Sequence, residues 1–152
     1  MIDVHWNEIH CRYVLVGLNI SKLLPNDPWR NFHGGKHDRK LLMACNQTKL
    51  RGSYLTDLFK GIDTASSKEL SDILSQGQIN IDSQVKLFQE EMKDNKLTPE
   101  SVILVFGGLA FQYYNEYFRN SFTNKVINCN HYSDFRREDD VWVKAFGEKI
   151  GI

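Results

Sequence analysis

The sequence predicts an α/β domain in which helices cover both faces of a parallel β-sheet. The first observation is that four short apolar segments alternate along the chain with segments that carry helical spacing or capping residues. The second is that these apolar segments do not alternate with polar residues, which is typical of strands buried on both faces of a parallel sheet. We therefore expect residues 1–152 to form a single domain around a four-stranded parallel sheet.

The predicted strands lie at residues 12–19, 52–59, 102–106 and 125–129. Helices are expected at 36–46, from Ser66 or Ser67 to Leu74, from Asn80 or Asp82 to the Thr98-Pro99 break, at 109–119 and from Asp139 or Asp140 onward. Ser66 and Glu69 have the spacing of a capping box, in which each side chain bonds the backbone of the other residue. Right-handed crossovers between the strands would then place all four strand ends at one edge of the sheet.

Four loops are expected at that edge, where open parallel sheets bind their ligands. They are residues 19–21, 56–60, 107–108 and 130–135. A turn-rich segment, residues 20–35, follows the first strand, and a connection of that length without its own secondary structure is usually functional or mobile. The functional residues are therefore expected in these loops.

Composition argues against several classes of protein. The longest nearly apolar run, residues 102–111, is interrupted by two glycines and is shorter than the ~20 residues of a membrane-spanning helix. The start of the chain has no basic region followed by an apolar stretch, so no secretory signal is expected. The three cysteines lie far apart without a C-x-x-C pair, which fits neither a disulfide framework nor a zinc or iron–sulfur site. We expect a cytoplasmic protein with reduced thiols.

Charge is balanced overall, with 19 basic and 19 acidic residues, but it is polarised along the chain. Residues 22–51 have a net charge of +5, and residues 63–100 have a net charge of −4. The zero total does not favour a nonspecific nucleic-acid coat, whereas a positive segment suits local phosphate contacts. Ordinary variation in surface charge is the alternative interpretation.

The four loops, taken in order, resemble the motifs of the uracil-DNA glycosylase superfamily. Gly-Leu-Asn-Ile-Ser at 17–21 resembles the first motif, a strand that ends in Gly-x-(Asp/Asn/Ala)-Pro. Tyr-Leu-Thr-Asp-Leu-Phe-Lys at 54–60 resembles the second-strand segment, and residues 102–110 resemble a third strand that runs into Phe-Gly-x-x-Ala. Asn-His-Tyr-Ser-Asp-Phe at 130–135 resembles the last motif, His-Pro-Ser-Pro-Leu or Asn-Pro-Ser-Gly-Leu. The resemblance, closest in style to the mismatch-specific uracil/thymine glycosylases, implies a three-layer α/β/α sandwich with a four-stranded parallel sheet.

The function implied by this resemblance is that of a DNA glycosylase, which extrudes a damaged or unusual base into a pocket and hydrolyses its N-glycosidic bond. Because the departing base gains negative charge, such a site needs a donor to the forming anion and a positioned water. His131 takes the anion-stabilising position of the last motif, and Asn19 takes the water-positioning place in the first. An amide is a poor proton acceptor at neutral pH, so Asn19 would orient water instead of acting as a base. A structural histidine is the alternative for His131.

The resemblance also implies which residues contact the base. These are Gly17, Leu18, Asp57 and Ser133 in the motifs, with Phe32 in the following connection as an aromatic platform. Asp57 stands where uracil-reading enzymes commonly use an asparagine amide. Because a carboxylate only accepts hydrogen bonds, the expected substrate carries an exocyclic amine or an extra N–H, and uracil is not the best substrate. A core aromatic that holds a long loop is the alternative for Phe32.

Contacts to DNA are expected from the last loop and from the positive segment. Phe135 takes the position of the apolar wedge that fills the space left by a flipped nucleotide, with a hydrophobic staple for the final helix as the alternative. The residues expected to contact backbone phosphates, besides Ser133, are Ser21, Lys36, Arg39, Lys40, Arg136 and Arg137.

Two departures from the family pattern leave another function open. Ile20 and Tyr132 stand where the first and last motifs have prolines, which would stiffen the loops that align the catalytic groups. The alternative is a catalytically inactive module of the same fold that binds nucleic acid, a nucleotide or a protein partner. Hydrolysis of a free nucleoside or nucleotide is a third candidate.

The glycosylase hypothesis carries further expectations. The two main motifs contain no lysine for a Schiff base, so coupled strand cleavage is not expected. We expect a monomer that binds DNA and uses no metal, organic cofactor or membrane. The hypothesis also requires Asn19, Phe32, Asp57 and His131 to converge on one cavity. For this, the imidazole must lie outside the apolar interior, and no strand should separate the first strand from the last.

Overall fold

The centre of the fold is a sheet of four parallel strands. A computed structural model of the chain describes residues 8–19, 38–64, 66–134 and 136–151. The strands are β1 (His10–Asn19), β2 (Ser53–Phe59), β3 (Val102–Phe106) and β4 (Lys125–Cys129), hydrogen-bonded in the order β2-β1-β3-β4. The prediction of a four-stranded parallel sheet in an α/β domain is confirmed.

The helices lie close to their predicted positions. They are α1 (Asp38–Gln47), α2 (Ser67–Ser75), α3 (Ile81–Asp94), α4 (Gly108–Tyr113) and α5 (Asp139–Ile150). Two starts follow from local capping, because the Ser66 side chain accepts a hydrogen bond from the Glu69 amide and Asn80 accepts one from the Ser83 amide. The helix expected at 109–119 is α-helical only as far as Tyr113 and continues as a π turn over residues 114–118.

The chain forms a three-layer sandwich, because apolar side chains project from both faces of the sheet and helices pack against each face. On one face, Val14 and Val16 pack with Phe88 of α3 in a cluster that includes residues of α2 and α4. On the other face, Leu15 and Trp142 belong to a second cluster, formed with α1 and α5. Every strand therefore contributes to two cores, which explains why the strand segments lack polar alternation.

No helix within the described ranges is both long enough and apolar enough to cross a membrane. The longest of them, α3, has 14 residues.

The strand order contradicts one expectation from the sequence. Strand β3 lies between β1 and β4, so the strands that carry the first and last motifs are not neighbours. Adjacent strands are about 4.8 Å apart, and the two motifs therefore leave the sheet about 10 Å from each other. The residues of the last motif can come closer to those of the first motif only if the loop that follows β4 turns back toward β1.

Candidate functional site

A cavity of about 560 Å³ opens at the ends of β3 and β4. Its volume is within the roughly 300–1,000 Å³ range of small-molecule sites. Among the described residues that line it are Gly107, Asn128, Asn130, His131, Ser133 and Arg136. The histidine of the last motif therefore lies at a cavity at the predicted edge of the sheet.

The His131 ring has a defined tautomer. The Ser133 backbone N–H donates to Nδ1 of His131 over 3.1 Å, and the Ser133 hydroxyl lies 2.7 Å from the same nitrogen. Because a backbone N–H can only donate, Nδ1 must be the unprotonated nitrogen and the proton must be on Nε2. The imidazole therefore has an N–H donor on the side of the ring opposite the loop backbone.

Burial favours the neutral form of this ring. Desolvation lowers the pKa of His131, and the negative charge of Asp38 only partly opposes the effect. A second proton would also have to be placed on Nδ1, where it would face the Ser133 N–H. The ring is half-buried at the cavity and is not enclosed in either apolar core, as the sequence hypothesis required.

Tyr132 extends the last loop back across β3. Its ring packs edge-on against Phe106 of β3, with centroids 5.6 Å apart, and stacks against His131 at 4.5 Å. Burial raises the pKa of the Tyr132 hydroxyl, and the charges of Asp38 and Asp57 raise it further. Two strands lie between β4 and β2, which carries Asp57.

Asp57 is a buried carboxylate beside a glycine. It pairs with Gly17 in the register of β2 against β1, and a Cβ atom at position 17 would collide with Oδ1 of Asp57. The residue is 8% exposed. Burial raises its pKa to about 6, with Lys60 opposing and Glu91 adding to the shift. A buried carboxylate with a raised pKa is a marker of functional sites.

The charges that act on Asp57 from the opposite face form a separate cluster. Lys60 pairs with Glu91 of α3 at 2.5 Å, and both also contact the Thr56 hydroxyl. The Tyr54 hydroxyl donates to the same Glu91 carboxylate over 2.9 Å. These groups satisfy one another on the α3 face of β2, so the cluster does not include Asp57, whose side chain lies on the other face.

Asn19 is held by the loop that follows β2. Its Nδ2 donates to the Ile62 carbonyl over 3.1 Å and to the Thr64 hydroxyl over 2.8 Å. These bonds fix the plane of the amide, as a water-positioning residue requires. Leu18, in contrast, packs against the core on the α2–α4 face, so its side chain faces away from Gly17 and Asp57.

The four residues expected to converge are therefore only partly brought together. Among the described residues, neither Asn19 nor Asp57 lines the His131 cavity. Four other predicted site residues lie outside the described residues: Ser21, Phe32, Lys36 and Phe135.

Three of the predicted phosphate contacts are exposed. Arg39, Arg136 and Arg137 are all at the surface. The Arg39 side chain lies 3.7 Å from Asp139 and remains 77% exposed. Arg136 forms a two-pronged ion pair with Asp134 over 2.8 and 3.1 Å, which lowers the pKa of Asp134 to about 2. These guanidinium groups are placed where a phosphate could reach them.

Lys40 does not fit its predicted role in DNA binding. It is 2% exposed, and its ammonium donates to the backbone carbonyls of Asp134 over 2.7 Å and Arg137 over 2.6 Å. Since a buried ammonium with these partners is not accessible to a backbone phosphate, the prediction for Lys40 is wrong. Arg39 and Lys40 are adjacent basic residues, and nothing in the positive segment predicts that Lys40 is buried while Arg39 is exposed.

Sequence reasoning also missed residues of the site. In the sequence, Tyr132 is a departure from the last motif and Asn128 is part of the fourth predicted strand, so neither is predicted as a site residue. Asn128 is the penultimate residue of β4 and lines the cavity. A polar residue at the end of an apolar strand was the signal available for it. No family model matches the chain and no curated protein matches it, so the resemblance to the uracil-DNA glycosylase superfamily stays a hypothesis from its motifs.

Proposed function

We propose that the protein hydrolyses the N-glycosidic bond of a damaged or unusual base extruded from DNA, with the fold of a uracil-DNA glycosylase. The observation that carries the proposal is the neutral His131, whose Nδ1 accepts from the Ser133 amide at the edge of a 560 Å³ cavity. This arrangement leaves Nε2–H as the donor that a departing base anion needs.

The chemistry of the leaving group explains the use of a neutral imidazole. As the base–sugar bond breaks, negative charge grows on a carbonyl oxygen or ring nitrogen of the base. A donor fixed before the reaction stabilises this charge without reorganisation, and removing one such donor typically lowers kcat by about 10²–10³-fold. The Ser133 amide keeps the His131 proton on Nε2, so the donor is present throughout the neutral pH range.

In this proposal the base extends beyond the His131 cavity, which Asp57 does not line, and is recognised through the Asp57 carboxylate on β2. An ionised carboxylate binds two N–H groups side by side, and a protonated one binds an N–H next to an acceptor nitrogen. Both patterns occur on bases with an exocyclic amine, whereas the carbonyl oxygens of uracil would be repelled. The gap left by Gly17 accommodates this carboxylate.

Asn19 positions the attacking water. Its amide nitrogen is held by Ile62 and Thr64, and an oriented amide aligns a water without removing its proton. The sugar in the transition state resembles an oxocarbenium ion, so a weakly activated water is sufficient to attack it.

The test is base release from single- and double-stranded oligonucleotides that contain uracil, hypoxanthine, xanthine or a modified cytosine. We expect an amine-bearing or N–H-rich base to be released faster than uracil. Release should fall by about 10²–10³-fold in His131→Ala and should also fall in Asn19→Ala, while Lys125→Met, at the opposite edge of the sheet, should match the wild type. Release that persists in His131→Ala would contradict the mechanism, and uracil released fastest would contradict the role of Asp57.

A binding module is the second candidate, and the strand order favours it. Two strands, β1 and β3, lie between β2, which carries Asp57, and β4, which leads into His131. A module of this kind would bind an oligonucleotide with a measurable salt dependence and release no base from any substrate in the panel. Hydrolysis of a free nucleoside without DNA binding would instead support the third candidate.

A further inference from the structure

The loop that carries His131 is anchored from α1 by a buried lysine. Lys40 lies in the first turn of α1, and its ammonium bonds the carbonyls of Asp134 and Arg137. The ammonium nitrogen also lies 3.9 Å from a carboxylate oxygen of Asp139, at the start of α5. One side chain therefore connects two helices and both ends of the segment between His131 and α5.

The same loop is bonded internally around the imidazole. The Asp134 amide donates to the His131 carbonyl over 3.0 Å, and the Ser133 amide donates to Nδ1 of His131. Asp134 is thus held on both sides, by the His131 backbone through its N–H and by Lys40 through its carbonyl. If the Lys40 bond were lost, the carbonyl of Asp134 would lose its donor, and only the Asp134–His131 backbone bond would hold the turn that presents the Ser133 amide to Nδ1.

We propose that Lys40 is a positioning residue, which holds the Ser133 amide against Nδ1 of His131 and so keeps the proton on Nε2 of a ring that lines the cavity. The catalytic part of this inference rests on the proposed function, whereas the structural part does not. Lys40 touches neither the base nor the reacting atoms, and its effect passes through the Asp134 carbonyl.

Burying an ammonium costs free energy unless its hydrogen bonds are made. Lys40 is only 2% exposed, so its burial has to be offset by the bonds it donates. A leucine or methionine at this position would avoid the cost of burying a charge. The carbonyls of Asp134 and Arg137 need a donor, and a long cationic side chain reaches both. The Lys40 ammonium therefore orders the loop that follows β4 by bonding these two carbonyls.

The test compares Lys40→Met, which keeps an unbranched apolar stem and removes the ammonium, with Lys125→Met, which removes an exposed lysine at the opposite edge. The first readout is the pair of ring ¹⁵N chemical shifts of His131, assigned with His131→Gln. In the wild type and Lys125→Met we expect two well-separated shifts at neutral pH, as for a single Nε2–H tautomer. In Lys40→Met we expect the two shifts to move toward the average of a mixed tautomer.

The second readout is base release, and here we expect kcat to fall by about 10²-fold in Lys40→Met with little change in KM. Unchanged ¹⁵N shifts in a folded Lys40→Met protein would overturn the proposal. If Lys40→Met does not fold, Lys40→Gln, which is one bond shorter and uncharged, is read by the same criterion. A shifted tautomer in a protein that releases no base in any form would support the positioning role and refute the proposed function, so the two failures are distinguishable.

Discussion

The carboxylate of Asp57 occupies the space in which a side chain at position 17 would begin. The two residues are opposite each other in the β1–β2 register, and a Cβ atom on Gly17 would collide with Oδ1 of Asp57. The next nearest atoms, Cγ of Asp57 and the Thr56 carbonyl oxygen, would be at ordinary contact distances of 3.6 and 3.7 Å. The glycine is therefore required by the carboxylate alone, and the first and second motifs are linked by this contact.

Gly17→Ala is expected to destabilise the protein by about 1–3 kcal/mol, because the new methyl group must displace a buried side chain. The free energy of unfolding in urea measures the effect. Asp57→Ala provides the control, since it removes the colliding oxygen. In that background Gly17→Ala should have less than half of its original effect, and an equal effect in both backgrounds would assign the strain to the backbone instead.

Asp57 should also make stability depend on pH. Its pKa is about 6 in the folded protein and about 3.9 in an unfolded chain, so between these values the folded state retains a proton that the unfolded state has lost. The stabilising contribution of this proton is complete below about pH 4 and is lost as the pH rises through about 6. Asp57→Asn, which cannot ionise, is therefore expected to be more stable than the wild type at neutral pH by about 2–3 kcal/mol.

The measurement is the difference in unfolding free energy between Asp57→Asn and the wild type at several pH values. Arg136 lowers the pKa of Asp134 to about 2, so Asp134 makes stability depend on pH in the opposite sense. Because both proteins contain Asp134, its contribution cancels in the difference. It should grow in favour of Asp57→Asn from about pH 4 to about pH 7. A difference that stays constant over this range would mean that Asp57 does not change its ionisation on folding.

The same substitution should change which base is released. An asparagine amide both donates and accepts, so it matches the N3–H and carbonyl edge of uracil, which the carboxylate repels. We expect Asp57→Asn to raise the rate of uracil release relative to the amine-bearing bases by at least about 10-fold. Competition between the two substrates in one reaction gives the ratio directly, and an unchanged ratio would place the base away from Asp57.

Salt dependence should distinguish the exposed arginines from other basic residues. Each phosphate contact in duplex DNA contributes about 0.9 to the slope of log affinity against log salt concentration. Arg39→Met should therefore lower the slope by about one unit, while Lys125→Met leaves it unchanged. Equal slopes for both variants and the wild type would indicate that α1 does not contact the DNA backbone.

Much of the fold could be read from local patterns. β3 and β4 have the predicted bounds, and α2 begins where Ser66 caps it, because burial on both faces and capping depend on neighbouring residues. The helix after β3 was predicted less well. The π turn at residues 114–118 places both Tyr114 and Phe118 fully in the core, and this choice depends on contacts with distant elements.

The candidate site was only partly predictable. The position of His131 at the ligand-binding edge follows from its place after the last strand. The burial of Lys40 did not follow from the sequence, because Arg39 and Lys40 are adjacent and equally basic, and only the packing of α1 against α5 decides which of them faces inward.

The sequence by itself determined the class of the fold, the order of its elements and the edge at which the motifs meet solvent, because apolar periodicity and capping are local properties of the chain. The tertiary structure alone decided the strand order, the tautomer of His131 and the burial of the Asp57 side chain. These depend on which distant atoms come within hydrogen-bonding range, and a pattern of residue types does not carry that information.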